Sequence, residues 1–409
     1  MPYFKNSELA YTYHVSDRTV RNWVALAREG KLPLELETLG DKAYVAKTSG
    51  NIKIIEEYVA RNKTKRPRNA LKFISPSKKF YKLFTPAQVY DIVRNLEMHH
   101  EIPRQYNYFD GGASEWDEYI KQLAKENTHH IFTATLTLLE ETEAYIKNRL
   151  AKYDKINVVD VGVGNGLQAI GLLEFLAKEQ KLGRYIAIDI SPEMLEIAEQ
   201  NIHNAIAERI LVEKYEMDVT HERFANILAE SYLRKDSNKS ANLILLLGAT
   251  PINLRNPDDM FRTVSESMSG QDFLVYTGKL ESEDQRPEWL KHDVKPGKMT
   301  LSNRHKLVFD LLNIDESFYD VEVGFDEKSR QQYTLTRLKV AINLCFEFDE
   351  GERIIEFEKG DTILLWRAWQ IDASDMISQL TETGFEPLYS IQTDDREYML
   401  TISQAKLQK

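Results

Sequence analysis

The densest chemistry in the sequence lies in INVVDVGVGNGLQAIGLLEFL, residues 156–176. An apolar run ends at Asp160, glycines follow at Gly162, Gly164 and Gly166, and an amphipathic stretch continues through Leu172, Leu173 and Leu176. Strand, glycine turn and helix in that order bring bare backbone up to a nucleoside. Loops that cradle a pyrophosphate space their glycines G-x-G-x-x-G, whereas the spacing here is G-x-G-x-G, so a dinucleotide is an imperfect match. The next apolar run, RYIAID, ends at Asp189-Ile190, where a carboxylate can accept from both hydroxyls of a ribose. Ser191 and Pro192 then read as an N-cap and a first helical turn. Two more strand ends, Met217-Asp218 after ILVEKYE and Gly248 with Asn253 after NLILLLG, fall at the same carboxyl edge, where α/β folds bind ligands.

Those residues need a scaffold. From Ile156 onward short apolar runs alternate with amphipathic stretches, which predicts an open parallel sheet with helices on both faces and an antiparallel last strand around Glu397 to Ser403. Length allows two or three domains in 409 residues. Four segments are expected: a head (1–62), a basic linker (63–82), a helical part (83–155) and the sheet (156–409). Up to Lys82 there are 17 basic and 8 acidic residues, and beyond it 36 and 56, so the two parts carry +9 and −20. A basic head suits nucleic acid, and an acidic body suits a small molecule better than phosphate. A single cysteine, Cys345, excludes an internal disulfide and a thiolate zinc cage. No apolar run approaches the roughly 18 residues of a membrane span and no signal peptide is evident, so a cytoplasmic chain with no membrane partner is expected. His99-His100 and His129-His130 are adjacent pairs, which point apart on a helix; no metal is expected there.

In the head, Ser7 and Ser16 read as caps of two short helices, with Leu9, Ala10, Tyr13, Val20, Val24 and Ala27 inward. Arg18, Thr19, Arg21 and Asn22 then point outward at the start of the second helix, as DNA-contacting residues would. LELETLGDKAYVA predicts a hairpin at Gly40-Asp41, with a helix after it. This layout resembles the winged helix-turn-helix heads of the MerR and excisionase families, which implies DNA as a partner. A head of this kind also serves dimerisation, so a homodimer is the other expectation.

The Asp-x-Gly-x-Gly-x-Gly run from Asp160 resembles the first motif of class I S-adenosylmethionine-dependent methyltransferases, which implies a Rossmann-like seven-stranded sheet and that sulfonium nucleoside as cofactor. The resemblance implies that Asp160, Gly162, Gly164, Gly166, Asp189, Ile190, Met217, Asp218 and Gly248 bind the cofactor, with Met217 and Asp218 flanking adenine. The fourth-strand loop lacks the Asn/Asp-Pro-Pro-aromatic tetrad of DNA amino-methylases. From Tyr106 to about Leu388 the chain is similar to histidine-specific N-alpha-methyltransferases. Tyr108-Phe109-Asp110 matches that family's Phe-Tyr-Asp, Leu247 to Asn253 its Leu-Gly-Ser-Thr-Ile-Gly-Asn, and Gly360-Asp361-Thr362-Ile363 its Gly-Glu-Thr-Ile.

Departures gather on the substrate side. The family tyrosine beside the substrate amine falls at Phe109, paired tyrosines fall near Glu126-Asn127, and the acid and serine that hold the imidazole fall near Trp366 and Ala368. The expectation is therefore an enzyme that methylates an amine of a small molecule or peptide other than histidine, held by Asn253, Trp366 and Ala368. Trp369 is a further stacking candidate, with core packing as its alternative. Phe109, Asp110, Glu126, Tyr276, Tyr319 and Asn253 are the candidates for base or orienting roles. The alternative is a transcriptional regulator that uses the pocket as a ligand sensor.

Overall fold

The computed structural model describes residues 3–13, 15, 17–40, 42–63, 72–126, 129–206, 210–233, 239–248, 250–281, 300–349 and 351–406. In chain order the helices are α1 (Asn6–Tyr13), α2 (Asp17–Arg28), α3 (Ser49–Lys63), α4 (Lys78–Leu83), α5 (Pro86–His99), α6 (Gly112–Glu126), α7 (Ile131–Arg149), α8 (Ile170–Lys178), α9 (Pro192–Ala205), α10 (Ala225–Leu233), α11 (Pro257–Ser267), α12 (Asn303–Leu311) and α13 (Ala373–Glu382). The strands are β1 (Leu36–Leu39), β2 (Lys42–Val45), β3 (Lys72–Ile74), β4 (Lys155–Val161), β5 (Leu182–Asp189), β6 (Val212–Glu216), β7 (Ser240–Leu246), β8 (Phe273–Lys279), β9 (Tyr319–Asp326), β10 (Gln331–Leu338), β11 (Ile342–Phe348), β12 (Gly351–Phe357), β13 (Thr362–Trp369), β14 (Phe385–Gln392) and β15 (Tyr398–Ala405).

The seven-stranded sheet runs β14-β15-β8-β7-β4-β5-β6. Strands β4 to β8 are mutually parallel, and β15 enters antiparallel between β8 and β14, as the sequence predicts for residues 397–403. Apolar runs such as Leu243 to Leu246 are continuous because both faces are covered. Leu138, Leu172, Leu173 and Ile202, from α7, α8 and α9, bury one face, and Phe224, Met260, Phe261 and Met376 bury the other. Among the described residues no helix is long and apolar enough to cross a membrane.

A second core lies beside this sheet. The meander β9–β10–β13 and the hairpin β11–β12 enclose Phe309, Phe346, Phe357 and Leu365 with α4, α5 and α12. Here the expected linker over 63–82 is corrected for its residues 72–82; residues 64–71 lie outside the described residues. Lys72 to Ile74 pair in parallel with Ile342 to Leu344, and Phe80 is fully buried in a helix capped by Ser77. Lysines at 72, 78, 79 and 82 gave the segment a solvated look, while its few apolar side chains point inward.

At the N-terminus, α1 and α2 form the helix pair and β1–β2 the antiparallel hairpin that the sequence predicts. Leu9, Ala10, Val20, Trp23 and Val24 make its core, and Ile354 of β12 packs against it. The turn residues His14 and Ser16 and the hairpin residue Asp41 lie outside the described residues. Arg21 and Asn22 are exposed and Thr19 is half-buried, whereas the Arg18 side chain is outside the described set. Arg21 opens on a small cleft shared with Glu97 of α5, His100 just after it and Glu356 of β12, so part of the expected DNA face meets the acidic body.

Candidate active site

Strands β4, β5 and β7 end at one cavity of roughly 520 Å³, within the range of small-molecule sites. Gly162 and Gly164 line it. Gly164, at φ 55°, turns the chain so that its amide donates to Asp189 Oδ2 at 3.3 Å. Asp189 Oδ1 accepts from the Ser191 amide at 3.0 Å. Ser191 Oγ in turn caps α9 by accepting from the Met194 amide, and Pro192 stands in the first turn. Ile190, Met217, Asp218, Gly248 and Gln168 continue the wall. Burial pushes the Asp189 carboxyl up to about 6 despite these amides.

Gly166 does something else. It is not on the cavity wall: a Cβ there would stand 3.2 Å from Ala198 and Ile202, so the glycine lets the loop close on α9. Asp160 is likewise not on the cavity wall but buried behind it. Its Oδ2 accepts from Tyr185 Oη at 2.9 Å, and burial, with Asp189 nearby, pushes it up to about 7.

On the other wall, Thr334 pairs across strands with Val323 and Trp366, and Gln332 pairs with Ala368. Side chains on opposed, alternate positions share one face, so all five reach the cavity together. His305 of α12 and Arg104, in a short 3-10 turn over Arg104–Tyr108, complete this side with Tyr108, Trp116 and Tyr119. Asn253 sits between the two walls with its Oδ1 buried and unpartnered.

Several expected residues are elsewhere. Phe109 is buried between Phe84 and Tyr106, whereas Tyr108, one residue earlier, lines the cavity. Asp110 takes a left-handed turn (φ 50°) and pairs with Lys79. Glu126 is exposed at the end of α6, bonded to Gln122, and Asn127 lies outside the described residues. Tyr276 and Tyr319 are buried away from the cavity, their hydroxyls without partners, and desolvation raises both phenols. Trp369 donates its indole N–H to the Leu254 carbonyl at 2.8 Å and is not on the cavity wall.

Arg104, Tyr108, Trp116, His130, His305, Gln332 and Thr334 were missed. Alternation along β10 and β13 would have found the last two; the others come from separate loops and helix starts. His130 caps α7, its Nδ1 accepting from the Phe132 amide, so the proton of the neutral ring is on Nε2. His129 pairs instead with Asp395 and Glu397 at 3.1 Å each, the one His/carboxylate group of metal-ligating size among the described residues. Cys345 is buried and its thiol is pushed up to about 11, far from thiolate chemistry at neutral pH.

Parallel sheet, side-chain-free loop, carboxylate at the second strand end and no basic side chain on the loop define a class I S-adenosylmethionine-dependent methyltransferase, and S-adenosylmethionine is its cofactor. The chain belongs to the SAM-dependent histidine-specific methyltransferase family, whose model matches residues 89–405. No curated protein matches it. Its fold is similar to an S-adenosylmethionine-dependent methyltransferase from Clostridium acetobutylicum ATCC 824, at 11% identity over 72% of this chain and 98% of that one, TM-score 0.39. It is also similar to the CcbJ methyltransferase of Streptomyces caelestis, at 12% identity over 65% and 88%, TM-score 0.35. A third is CalS10, an amino pentose methyltransferase from Micromonospora echinaspora, at 12% identity over 70% and 96%, TM-score 0.36.

Proposed function

We propose that the enzyme methylates an amine on a small molecule or peptide end other than histidine. The observation that carries this reading is Asn253, whose unpartnered amide oxygen is buried where the glycine-loop wall meets the Trp366 wall. A buried, unmet acceptor favours a ligand N–H, because leaving it unpaired costs about 1–3 kcal/mol. Bound S-adenosylmethionine supplies a methyl group on a sulfonium, ready for in-line displacement. The chain's part is positioning: Asp189 accepts ribose hydroxyls, Ile190 and Met217 flank the adenine, and Asn253 orients the acceptor nitrogen. Trp366 and Ala368, in place of a carboxylate and a serine, favour a flat apolar acceptor over an imidazole. The test is S-adenosylhomocysteine release with an amine panel that includes histidine. Asn253→Ala is expected to lower kcat/KM at least tenfold with unchanged S-adenosylhomocysteine affinity; turnover best with histidine would overturn the acceptor reading.

The head supports a second reading, a regulator whose ligand occupancy biases DNA binding. The exposed Arg21 and Asn22 favour it, while the near balance of 9 basic and 8 acidic residues over 1–62 and the cleft Arg21 shares with Glu97 and Glu356 count against it. A salt-dependent mobility shift of labelled duplex, lost in Arg18→Ala/Arg21→Ala, is the expected sign; no shift at low salt removes this reading.

A further inference from the structure

We infer that Arg104 is the carboxylate-binding residue of the cavity, an assignment that rests on the cofactor-pocket reading above. A guanidinium offers about five donors and no acceptor. Arg104 commits Nε to Tyr108 Oη at 3.0 Å and Nη1 to His305 Nε2 at 2.9 Å. Because arginine only donates, the imidazole presents a lone pair at Nε2, so neither partner brings negative charge. The guanidinium lies over the rings of Tyr108 and Trp116, 5.7 and 5.6 Å from their centroids. These contacts fix its plane and direction without neutralising it.

Other half-buried or buried arginines of the body are treated differently. Arg184 donates to Glu213, Arg330 to Glu281 and Asp375, and Arg367 to Glu101. Among the described residues Arg104 meets no carboxylate. A cation held on the wall of an aromatic cavity without a counter-charge is costly until an anion arrives, and a planar, bidentate carboxylate suits its remaining edge.

Two ligand carboxylates are within the chemistry of this site. Arg104 stacks on Trp116, whose Nε1 comes within 4.0 Å of where a Cβ on Gly164 would sit, so it stands next to the glycine loop. Through His305 it also borders Trp366, 6.5 Å from that imidazole on the acceptor wall. The carboxylate therefore belongs either to the amino-acid end of the cofactor or to the acceptor.

Calorimetry separates the cases. Wild type, Arg104→Gln and Arg104→Lys are titrated with S-adenosylhomocysteine and with 5′-methylthioadenosine, which lacks the amino-carboxylate. A tenfold or greater loss for the first ligand alone in Arg104→Gln, partly restored in Arg104→Lys, assigns the cofactor carboxylate. If both ligands are unaffected, S-adenosylhomocysteine-loaded protein is titrated with indole-3-acetate and its amide. Preference for the acid, lost in Arg104→Gln, assigns the acceptor carboxylate. Equal loss of both nucleosides with an unchanged melting temperature, or no preference for acid over amide, overturns the assignment. Failure of wild type to bind either nucleoside overturns the pocket reading instead.

Discussion

On the proposed reading, Asp189 joins cofactor recognition to proton balance. Its carboxyl lies at about 6 in the folded chain against an ordinary value of 3.8, raised by burial. A raised acid stabilises the ligand-free fold only while protonated: that contribution is full below the ordinary value and is lost as pH rises through 6. A ligand that donates to the ionised form, and carries positive charge itself, binds best above 6. Affinity for S-adenosylmethionine is expected to fall up to tenfold per pH unit below 6, with proton release on binding detected as a buffer-dependent heat. Asp189→Asn should weaken binding by about 1.5–3 kcal/mol and flatten this profile. Asp160, behind the loop and raised to about 7, adds a second slope that Tyr185→Phe should shift further toward neutral acid. An affinity independent of pH from 5 to 8 would remove the coupling.

The three glycines after β4 have different tasks, and substitution separates them. Gly166→Ala places a Cβ at φ 74° and 3.2 Å from Ala198 and Ile202, so a destabilisation of about 1–3 kcal/mol is expected in chemical denaturation. Gly171→Ala, in α8 with no atom within 4 Å of the added Cβ, should instead be neutral or stabilising by up to about 1 kcal/mol. This loop was legible because each ligand contact lies next to a buried strand end, so order in sequence gave position in space. The acceptor wall was less legible. Trp366 and Ala368 were found, but Tyr108 was not, since sequence alone does not show which of two adjacent aromatics turns toward the cavity. Arg104 and His305 meet across 201 positions of sequence, and no local pattern announces such a pair.

The body and the head meet through few side chains, notably Ile354 and the Arg21 cleft, whereas Ile74 and Phe80 belong to the body's own core. A chain shortened to begin at residue 70 should keep S-adenosylhomocysteine binding and a cooperative melt. One beginning at residue 84 loses β3 and the fully buried Phe80, and should melt far lower; truncation of a buried phenylalanine alone costs about 3–5 kcal/mol. Equal melting of the two would show that the segment before residue 84 is dispensable. The sheet was readable from its periodicity, but charge composition masked this boundary, because lysines at 72, 78, 79 and 82 interrupt the apolar Phe73, Ile74, Phe80 and Tyr81 in any local average.

The parallel pairing of Ile74 with Leu344 also sets a timetable for synthesis. A ribosome adding about 5–20 residues per second leaves roughly 15–50 s between the emergence of those two partners. Throughout that interval Phe80 travels without Phe346, the ring from β11 that packs against it, so part of this core stays open to wrong association well before the last strand is made.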